Sequence, residues 1–295
     1  MALITTRGEA YHPNRRLLEA ARARGVSLGL FHPWGAWPMV GREGGLGLAG
    51  PEAALARAEV ILPRLGATIS PYTLALVRHL ELMGRRVVNR ARAIALASHK
   101  PRTLQSLQAA GLPVPPAVVV YRRQDLEAAA QALGGWPLVA KLASARQGRG
   151  VFLLQGPQEL PPEAEPGRAG LVLQRFVPPR GRRDLRVLVV GGRAVAAMAL
   201  EPAPGEFRAN VHLGGRPRAV ELEPAWAGLA QRAAAALGLE LAGVDLMLTP
   251  RGGPWLVEVN YTPGFRGLEE ATGRDIAGLI LDYALSPTPG TAGAV

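Results

Sequence analysis

Short apolar segments alternate with helical segments along the first third of the chain, and this alternation restricts the fold more than any other feature of the sequence. Strand-like segments are "ALITT", "VSLGLF", "AEVILPRLG" and "RRVVN", and apolar residues recur at helical spacing in "NRRLLEAARARG" and "PYTLALVRHLELMG". Gly25 and Gly84 stand where these two helices are expected to end. Strands separated by helices form open α/β layers, so we predict such a domain over residues 1–97.

The rest of the chain contains hairpin patterns. "PLVAKL" and "VFLLQ" flank the glycine-containing loop "ARQGRG", which predicts a hairpin flap. "LRVLVVGGRAVAAMAL" and "LAGVDLMLTPRGGPWLVEVN" each hold two apolar runs around a Gly or Pro/Gly turn, which predicts two more hairpins. We therefore predict a subdomain over residues 98–172 with the flap, another over residues 173–285 with the last hairpin, and a disordered tail over residues 286–295.

The composition excludes several classes of protein. The 295 residues are 48% hydrophobic and 19% charged, as in globular proteins. The chain has no cysteine, which excludes a disulfide framework, a thiolate nucleophile and a zinc–thiolate site. We find no signal-peptide pattern at the N-terminus, and no uncharged apolar stretch reaches the roughly 18 residues of a membrane span. We therefore expect a soluble cytoplasmic protein.

The formal net charge of +11 raises the question of a nucleic-acid partner. The arginines, however, are spread over the whole chain among acidic residues, and aromatic residues make up only 5% of the sequence. Single-strand binding surfaces need aromatic stacking platforms, so we do not expect nucleic-acid binding. An acidic small molecule or peptide would account for the charge, and so would solvated arginine surfaces.

Lysine is almost absent, since Lys100 and Lys141 are the only two among 34 basic residues. Exposed salt bridges rarely distinguish arginine from lysine. The two remaining lysines are therefore candidates for sites that need a compact ammonium, which a planar guanidinium cannot imitate. Chance alone would also leave a few lysines, so the count needs support from other residues.

The last predicted hairpin carries a candidate metal site. Glu258 and Asn260 lie two residues apart on one strand and therefore share a face, and Asp245 lies on the partner strand. Two carboxylates and one amide oxygen suit magnesium or manganese. An exposed hairpin face would also carry acidic residues, but asparagine and aspartate are rare in this chain. We favour the metal site.

The loop after Lys141 is a candidate phosphate-binding loop that would act together with such a metal site. Magnesium held by a few carboxylates usually completes its shell with water and phosphate oxygens, which indicates a nucleotide. Gly148 and Gly150 allow backbone amides to approach phosphates, and Lys141 adds a positive charge. The loop matches neither the P-loop nor the G-x-G-x-x-G pattern.

The order of these segments resembles the ATP-grasp superfamily, and within it the RimK-like ATP-dependent α-L-glutamate ligases, over nearly the whole chain. The segments that carry the resemblance are "VILPRLGATISPYTLALVRHLELMG", "HKPRTLQSLQAAGLPVP", "KLASARQGRGV", "LQRFV", "RDLRVLVVGGRAVAAM", "GEFRANVHLGG", "GVDLM" and "VEVNYTPGFRGLEEATGRDIAGLI". The resemblance implies an α/β protein with an ATP-grasp fold, α+β in its ATP-grasp part. The domain over residues 1–97 would be a Rossmann-like pre-ATP-grasp domain.

The resemblance also implies residue roles. Residues that would hold the ATP phosphates are Lys100, Lys141, Gln147, Gly148 and Gly150. Those that would bind adenine and ribose are Arg175, Phe176 and Val177 of the hinge, the first and last through their backbone, and Asp184. Those that would surround the γ-phosphate and the developing acylphosphate are Arg186, Arg208 and Asn210, and those that would hold magnesium or manganese, with two ions expected, are Asp245, Glu258 and Asn260.

The sequence departs from the family pattern at several positions. His99 stands where the family usually has Asp, Ala209 replaces Ser or Thr, and Arg175 replaces a hinge Glu that can help to bind the adenine amino group. Tyr261 and Thr262 vary the ending that follows the metal asparagine. These departures leave the nucleotide preference open.

The implied reaction is phosphoryl transfer from ATP to a carboxylate, followed by attack of an amine on the acylphosphate. We expect a ligase that adds glutamate to the carboxyl end of an acidic protein, peptide or cofactor acceptor. One alternative is an amino-carrier-protein ligase of the lysine- or arginine-biosynthesis type, although its metal motif ends differently. Another is a non-catalytic Mg-ATP-binding module, because fold does not fix function. The resemblance is also compatible with a homo-oligomer.

The lysine argument predicts the behaviour of Lys141→Arg. This substitution keeps the positive charge but replaces a compact ammonium with a planar fork. We expect it to remove most ATP-dependent turnover while circular dichroism shows an unchanged fold. Near-wild-type turnover in a phosphate-release assay would contradict the argument.

Overall fold

The computed structural model describes residues 1–41, 45–143, 150–166, 170–178, 181–201, 206, 216–249 and 254–286. The chain divides into two compact units. The first unit comprises residues 1–91, 264–269 and the described part of 274–295, and the second comprises residues 92–263 and 270–273. None of the helices in the described ranges has the length and apolar character that a membrane span requires.

The first unit is built on a parallel four-stranded sheet. Its strands, in the order β2-β1-β5-β6, are β1 (Ala2–Ile4), β2 (Gly29–Phe31), β5 (Val60–Pro63) and β6 (Arg86–Val87). Its principal helices are α1 (His12–Ala23), α2 (Pro71–Leu82) and α8 (Ile276–Leu285). The parallel pairing agrees with the alternation of strands and helices in the sequence.

Glycines end the first two helices as the sequence predicts. Gly25 follows α1 with a φ of 64°, and Gly84 follows α2 with a φ of 77°. Residues that have a Cβ atom rarely adopt such positive φ values. At the other end of α2, Ser70 and Thr73 form a reciprocal capping box. Local residue chemistry therefore fixes both ends of α2.

A two-stranded antiparallel hairpin in the first unit was not predicted from the sequence. It consists of β3 (Trp37–Gly41) and β4 (Gly45–Ala49). His79 of α2 contacts the Gly47 carbonyl at 2.6 Å, and the Tyr72 hydroxyl donates to the Ala36 carbonyl at 2.8 Å. Glycines interrupt the apolar alternation of the segment, so the local sequence pattern does not indicate two strands. Hydrogen bonds from α2 hold this segment in place.

The second unit contains two antiparallel sheets. The first, in the order β7-β10-β8-β9, is formed by β7 (Ala117–Val120), β8 (Leu138–Leu142), β9 (Val151–Leu154) and β10 (Leu171–Arg175). The other, in the order β13-β12-β11-β14-β15, is formed by β11 (Arg183–Val190), β12 (Arg193–Glu201), β13 (Arg216–Ala219), β14 (Leu241–Leu248) and β15 (Pro254–Asn260). The pairs β8–β9, β11–β12 and β14–β15 are the three hairpins that the sequence predicts.

Five further α-helices lie in the described chain. They are α3 (Ala91–Ala97), α4 (Lys100–Ala109), α5 (Leu126–Ala132), α6 (Pro224–Ala236) and α7 (Arg266–Thr272). Helix α6 packs against β11, β12 and β14.

Strand alternation in both sheets places charged side chains on the face opposite a buried apolar core. In β8, Leu138 and Ala140 belong to a buried core with residues of α5, so Lys141 projects from the opposite face. In β11, the Arg183 guanidinium lies 5.4 Å from the ring centre of Trp226 on α6. Asp184 and Arg186 therefore project from the face of that sheet that points away from α6.

Candidate functional site

Three charged side chains form one row across the second sheet. Asp245 of β14 lies directly opposite Arg186 of β11 on one side and Glu258 of β15 on the other. Residues directly opposite each other in an antiparallel pair project from the same face. Asn260, which pairs with Gly243, lies two residues beyond Glu258 on β15 and therefore on the same face. The register therefore brings together Arg186 and the three predicted metal ligands.

A β-bulge sets the position of Glu258 in this row. Asp245 pairs with Glu258, whereas its neighbour Leu246 pairs with Leu256, so Val257 is the extra residue. Leu246 and Leu256 are both buried, and Glu258 is exposed. The bulge thus lets the apolar part of β15 keep its packing while Glu258 aligns with Asp245.

Arg186 and Asp245 form a bidentate ion pair. The guanidinium donates from Nε to Oδ1 and from Nη2 to Oδ2, each at 2.7 Å. Burial raises the pKa of Asp245, and Arg186 opposes that effect. Burial by itself would lower the pKa of Arg186, but the negative charges of Asp245 and Glu258 outweigh burial and raise it. The pair therefore stabilises the charged form of Arg186 and offsets part of the cost of burying the Asp245 carboxylate, whose pKa stays raised.

The oxygen atoms of this row fit a divalent cation. Asp245 uses two of its roughly four acceptor positions for Arg186. The Asn260 Oδ1 accepts one hydrogen bond, from the Thr262 N–H at 2.9 Å, and keeps a second lone pair. No group of three His, Cys, Asp or Glu side chains in the described ranges could hold a metal ion. A cation in this row would consequently use the amide oxygen of Asn260 as its third protein ligand.

The two lysines lie in the same region of the second unit. Lys141 is half-buried in β8, and Lys100 begins α4 with its backbone N–H donating to the Ala143 carbonyl at 3.1 Å. Burial lowers the pKa of Lys141 to about 8, Glu258 opposes this effect, and Lys100 adds to it. These mutual effects place both lysines within electrostatic range of each other and of the acidic row.

The hinge segment after β10 is held by arginines. The Arg175 side chain donates from Nε and Nη2 to the Leu133 carbonyl, at 3.3 and 3.1 Å, and its backbone N–H donates to the Pro116 carbonyl at 3.4 Å. The Arg182 Nη1 donates to the Val177 carbonyl at 2.8 Å. Phe176, between these hinge residues, is half-buried.

Gly150 and His99 lie next to elements that position the two lysines. Gly150 immediately precedes β9 with a φ of 69°, and its carbonyl accepts from the Leu142 N–H at 2.9 Å. His99 caps α4 without a side-chain hydrogen bond, and burial, Arg102 and Lys100 lower its pKa. Residues outside the described ranges are Gln147, Gly148, Arg208, Ala209 and Asn210.

Two polar residues of this region were not identified from the sequence. Gln174 is only 3% exposed, and its Nε2 has no hydrogen-bond partner in the described part of the chain. It projects from the same face as Lys141, because Lys141 pairs with Val172 two residues earlier. A single glutamine in the apolar run "LVLQRFV" was the available signal. The other residue is Arg182, which could not be distinguished from the many other arginines of the sequence.

Two family matches agree with this architecture. The RimK-like ATP-grasp domain matches residues 97–284, and the RimK pre-ATP-grasp domain matches residues 1–94. The chain therefore belongs to the RimK-like ATP-grasp family and is an ATP-dependent ligase. The resemblance and the fold class predicted from the sequence are confirmed.

Individual relatives cover nearly the whole chain. A probable alpha-L-glutamate ligase from Teredinibacter turnerae is 37% identical over 284 residues, which is 95% of this chain and 93% of that protein. The crystal structure of a RimK domain ATP-grasp protein from Sphaerobacter thermophilus is 26% identical with a TM-score of 0.73, covering 97% and 99% of the two chains. The ATP-grasp ligase PsnB, solved with a minimal precursor, Mg and ADP, is 21% identical with a TM-score of 0.69, covering 96% of each chain.

The lowered pKa of Lys141 predicts a pH dependence of nucleotide binding. Below about pH 8 the side chain is charged and can bind phosphate, and above it the charged fraction falls by about tenfold per pH unit. We expect the affinity for ATP to decline above about pH 8, as measured by calorimetry at constant ionic strength. Lys141→Arg, which stays charged, should show a flatter profile than the wild type. An identical decline in both proteins would rule out Lys141 as its cause.

Proposed function

We propose that this ligase adds glutamate to a carboxyl group of a protein, peptide or cofactor acceptor through an acylphosphate. The observation that carries the proposal is the alignment of Arg186, Asp245 and Glu258 in one row of the second sheet, with Lys141 near enough for both carboxylates to influence its pKa. The 37% identity to a probable alpha-L-glutamate ligase over 95% of the chain supports glutamate as the added amino acid.

Lys100 and Lys141 would bind the phosphates of ATP. Their positions on α4 and β8 are held by the backbone hydrogen bond between Lys100 and Ala143. Burial is the main cause of the lowered pKa of Lys141, and the positive charge of Lys100 adds to this effect. A polyphosphate would offset both the burial of the Lys141 charge and its repulsion by Lys100, so the two lysines favour an anionic ligand.

Asp245, Glu258 and Asn260 would hold magnesium or manganese, and the family resemblance implies two ions. A bound divalent cation would neutralise charge on the phosphate oxygens during transfer. Arg186 would keep the Asp245 carboxylate in place through its bidentate contact and would add a positive charge beside the transferred group. Arg208 and Asn210 are proposed to assist at the γ-phosphate from the family motif alone.

The proposed reaction has two steps. An oxygen of the acceptor carboxylate attacks the γ-phosphorus of ATP, which breaks the bond to the bridging oxygen and releases ADP. The amino nitrogen of glutamate then attacks the acyl carbon, phosphate leaves, and the nitrogen loses a proton to give the amide. Positioning and charge stabilisation suffice for both steps, so no protein nucleophile is needed.

The acceptor is proposed to be acidic and peptide-like. The net charge of +11 favours the approach of a negatively charged partner. PsnB, which shares the fold, was solved with a minimal precursor, and this supports a peptide-type acceptor. The hinge residues Arg175, Phe176 and Val177, together with Asp184, are proposed to hold the nucleoside part of ATP.

Substrate-dependent ADP release tests this proposal. We would incubate the full chain with Mg-ATP, each common amino acid and a panel of acidic peptides and glutamate-bearing cofactors. We expect ADP release that requires glutamate and one acceptor class, together with a mass gain of one or more glutamyl residues on that acceptor. Lys141→Arg serves as the low-activity control. ADP release that depends on a different amino acid would contradict the assignment of glutamate.

A further inference from the structure

Arg182 connects two parts of the candidate nucleoside site. It lies immediately before β11, and its side chain is only 5% exposed. The Nη1 donates to the Val177 carbonyl at 2.8 Å. On the other side, Nε lies 2.9 Å and Nη2 lies 2.8 Å from the same oxygen, Oδ2 of Asp184. One guanidinium thus links the hinge backbone to the single acidic residue of β11.

Arg182 compensates for the burial of Asp184. The Asp184 side chain is 14% exposed, and burial raises its pKa, whereas the charge and hydrogen bonds of Arg182 lower it. A buried carboxylate without a cation is costly and tends to protonate or move. Arg182 therefore helps to keep Asp184 charged and in one orientation.

The geometry of the pair leaves one carboxylate oxygen available. Both N–H groups of Arg182 that reach Asp184 converge on Oδ2, and within the described residues no hydrogen bond to Oδ1 is found. A lysine could not contact Asp184 and the Val177 carbonyl at once with the same fork geometry. The arrangement suits a second donor, such as a hydroxyl group, at Oδ1.

The linked residues lie beside the charged row already described. Asp184 projects from the same face of β11 as Arg186. The positive charge of Arg182 contributes to the lowered pKa of Lys141, so the guanidinium lies within electrostatic range of that lysine. Arg183, in contrast, faces Trp226 on the opposite side of the sheet.

We propose that Arg182 is a positioning residue that orients Asp184 to accept a hydrogen bond from a ribose hydroxyl of ATP and fixes the hinge carbonyl of Val177. This inference rests on the proposed function, because it assumes that ATP occupies the site. It assigns to Arg182 the discrimination between ribose and deoxyribose nucleotides. Arg182 acts through Asp184 and does not itself contact the reacting groups.

Equilibrium binding of ATP, 2′-deoxy-ATP and 3′-deoxy-ATP tests the proposal without relying on turnover. We expect the wild type to bind ATP about tenfold or more tightly than at least one deoxy analogue, as hydrogen bonds to a charged group commonly provide. In Arg182→Met this ratio should fall to within about threefold of one, because Asp184 loses its orientation. If Arg182→Met does not fold, Arg182→Lys is measured in the same way and should also lose most of the ratio.

Arg183→Met is the matched control, because it removes the same charge from the adjacent residue on the other face. We expect it to keep the wild-type ratio. An unchanged ratio in both Arg182 variants, or a wild type that does not discriminate, would overturn the role of Arg182 while leaving the proposed function standing. Failure of the wild type to bind ATP would overturn the proposed function itself and the inference with it.

Discussion

The pairing of β14 with β11 and β15 is the constraint on which the chemistry of this protein depends. Side chains alternate between the faces of a strand, so a slip of one residue would move Asp245 to the apolar face that packs against α6. The observed register instead aligns Arg186, Asp245 and Glu258 in a single row. The buried residues of the opposite face, such as Val187 and Val244, fix this register because exposing them would be unfavourable.

Ion pairs between buried arginine and aspartate side chains stabilise the site that the strand register forms. Arg186 and Asp245 are both largely removed from water, and removing one partner of a buried pair typically costs about 3–5 kcal/mol. Arg182, which lies just before β11, forms a second buried ion pair with Asp184 of β11. Lys141 differs from these residues, because burial lowers its pKa towards neutrality. The site thus contains two ion pairs in which an arginine offsets part of the burial of an aspartate, and a lysine whose charge an anionic ligand would stabilise.

Much of this arrangement could be predicted from local patterns. The spacing of Glu258 and Asn260, with Asp245 on the partner strand, indicated a shared face, and the hairpin confirms that arrangement. Two features could not be predicted because they depend on tertiary packing. They are the bulge at Val257 and the contacts of α2 with the β3–β4 hairpin. Arg182 was missed because nearly all basic residues of the chain are arginines. An arginine in the sequence therefore does not indicate whether its guanidinium is buried in an ion pair or solvated.

Magnesium-dependent binding of a non-hydrolysable ATP analogue tests the central claim most directly. Glu258 is exposed, so Glu258→Gln removes a charge from the row with little effect on packing. Calorimetry with and without Mg²⁺ would be carried out on the wild type and on this variant. If the acidic row holds the cation that accompanies ATP, Mg²⁺ should strengthen binding to the wild type by about tenfold or more and should have little effect on the variant. An equal Mg²⁺ effect in both proteins would contradict the account.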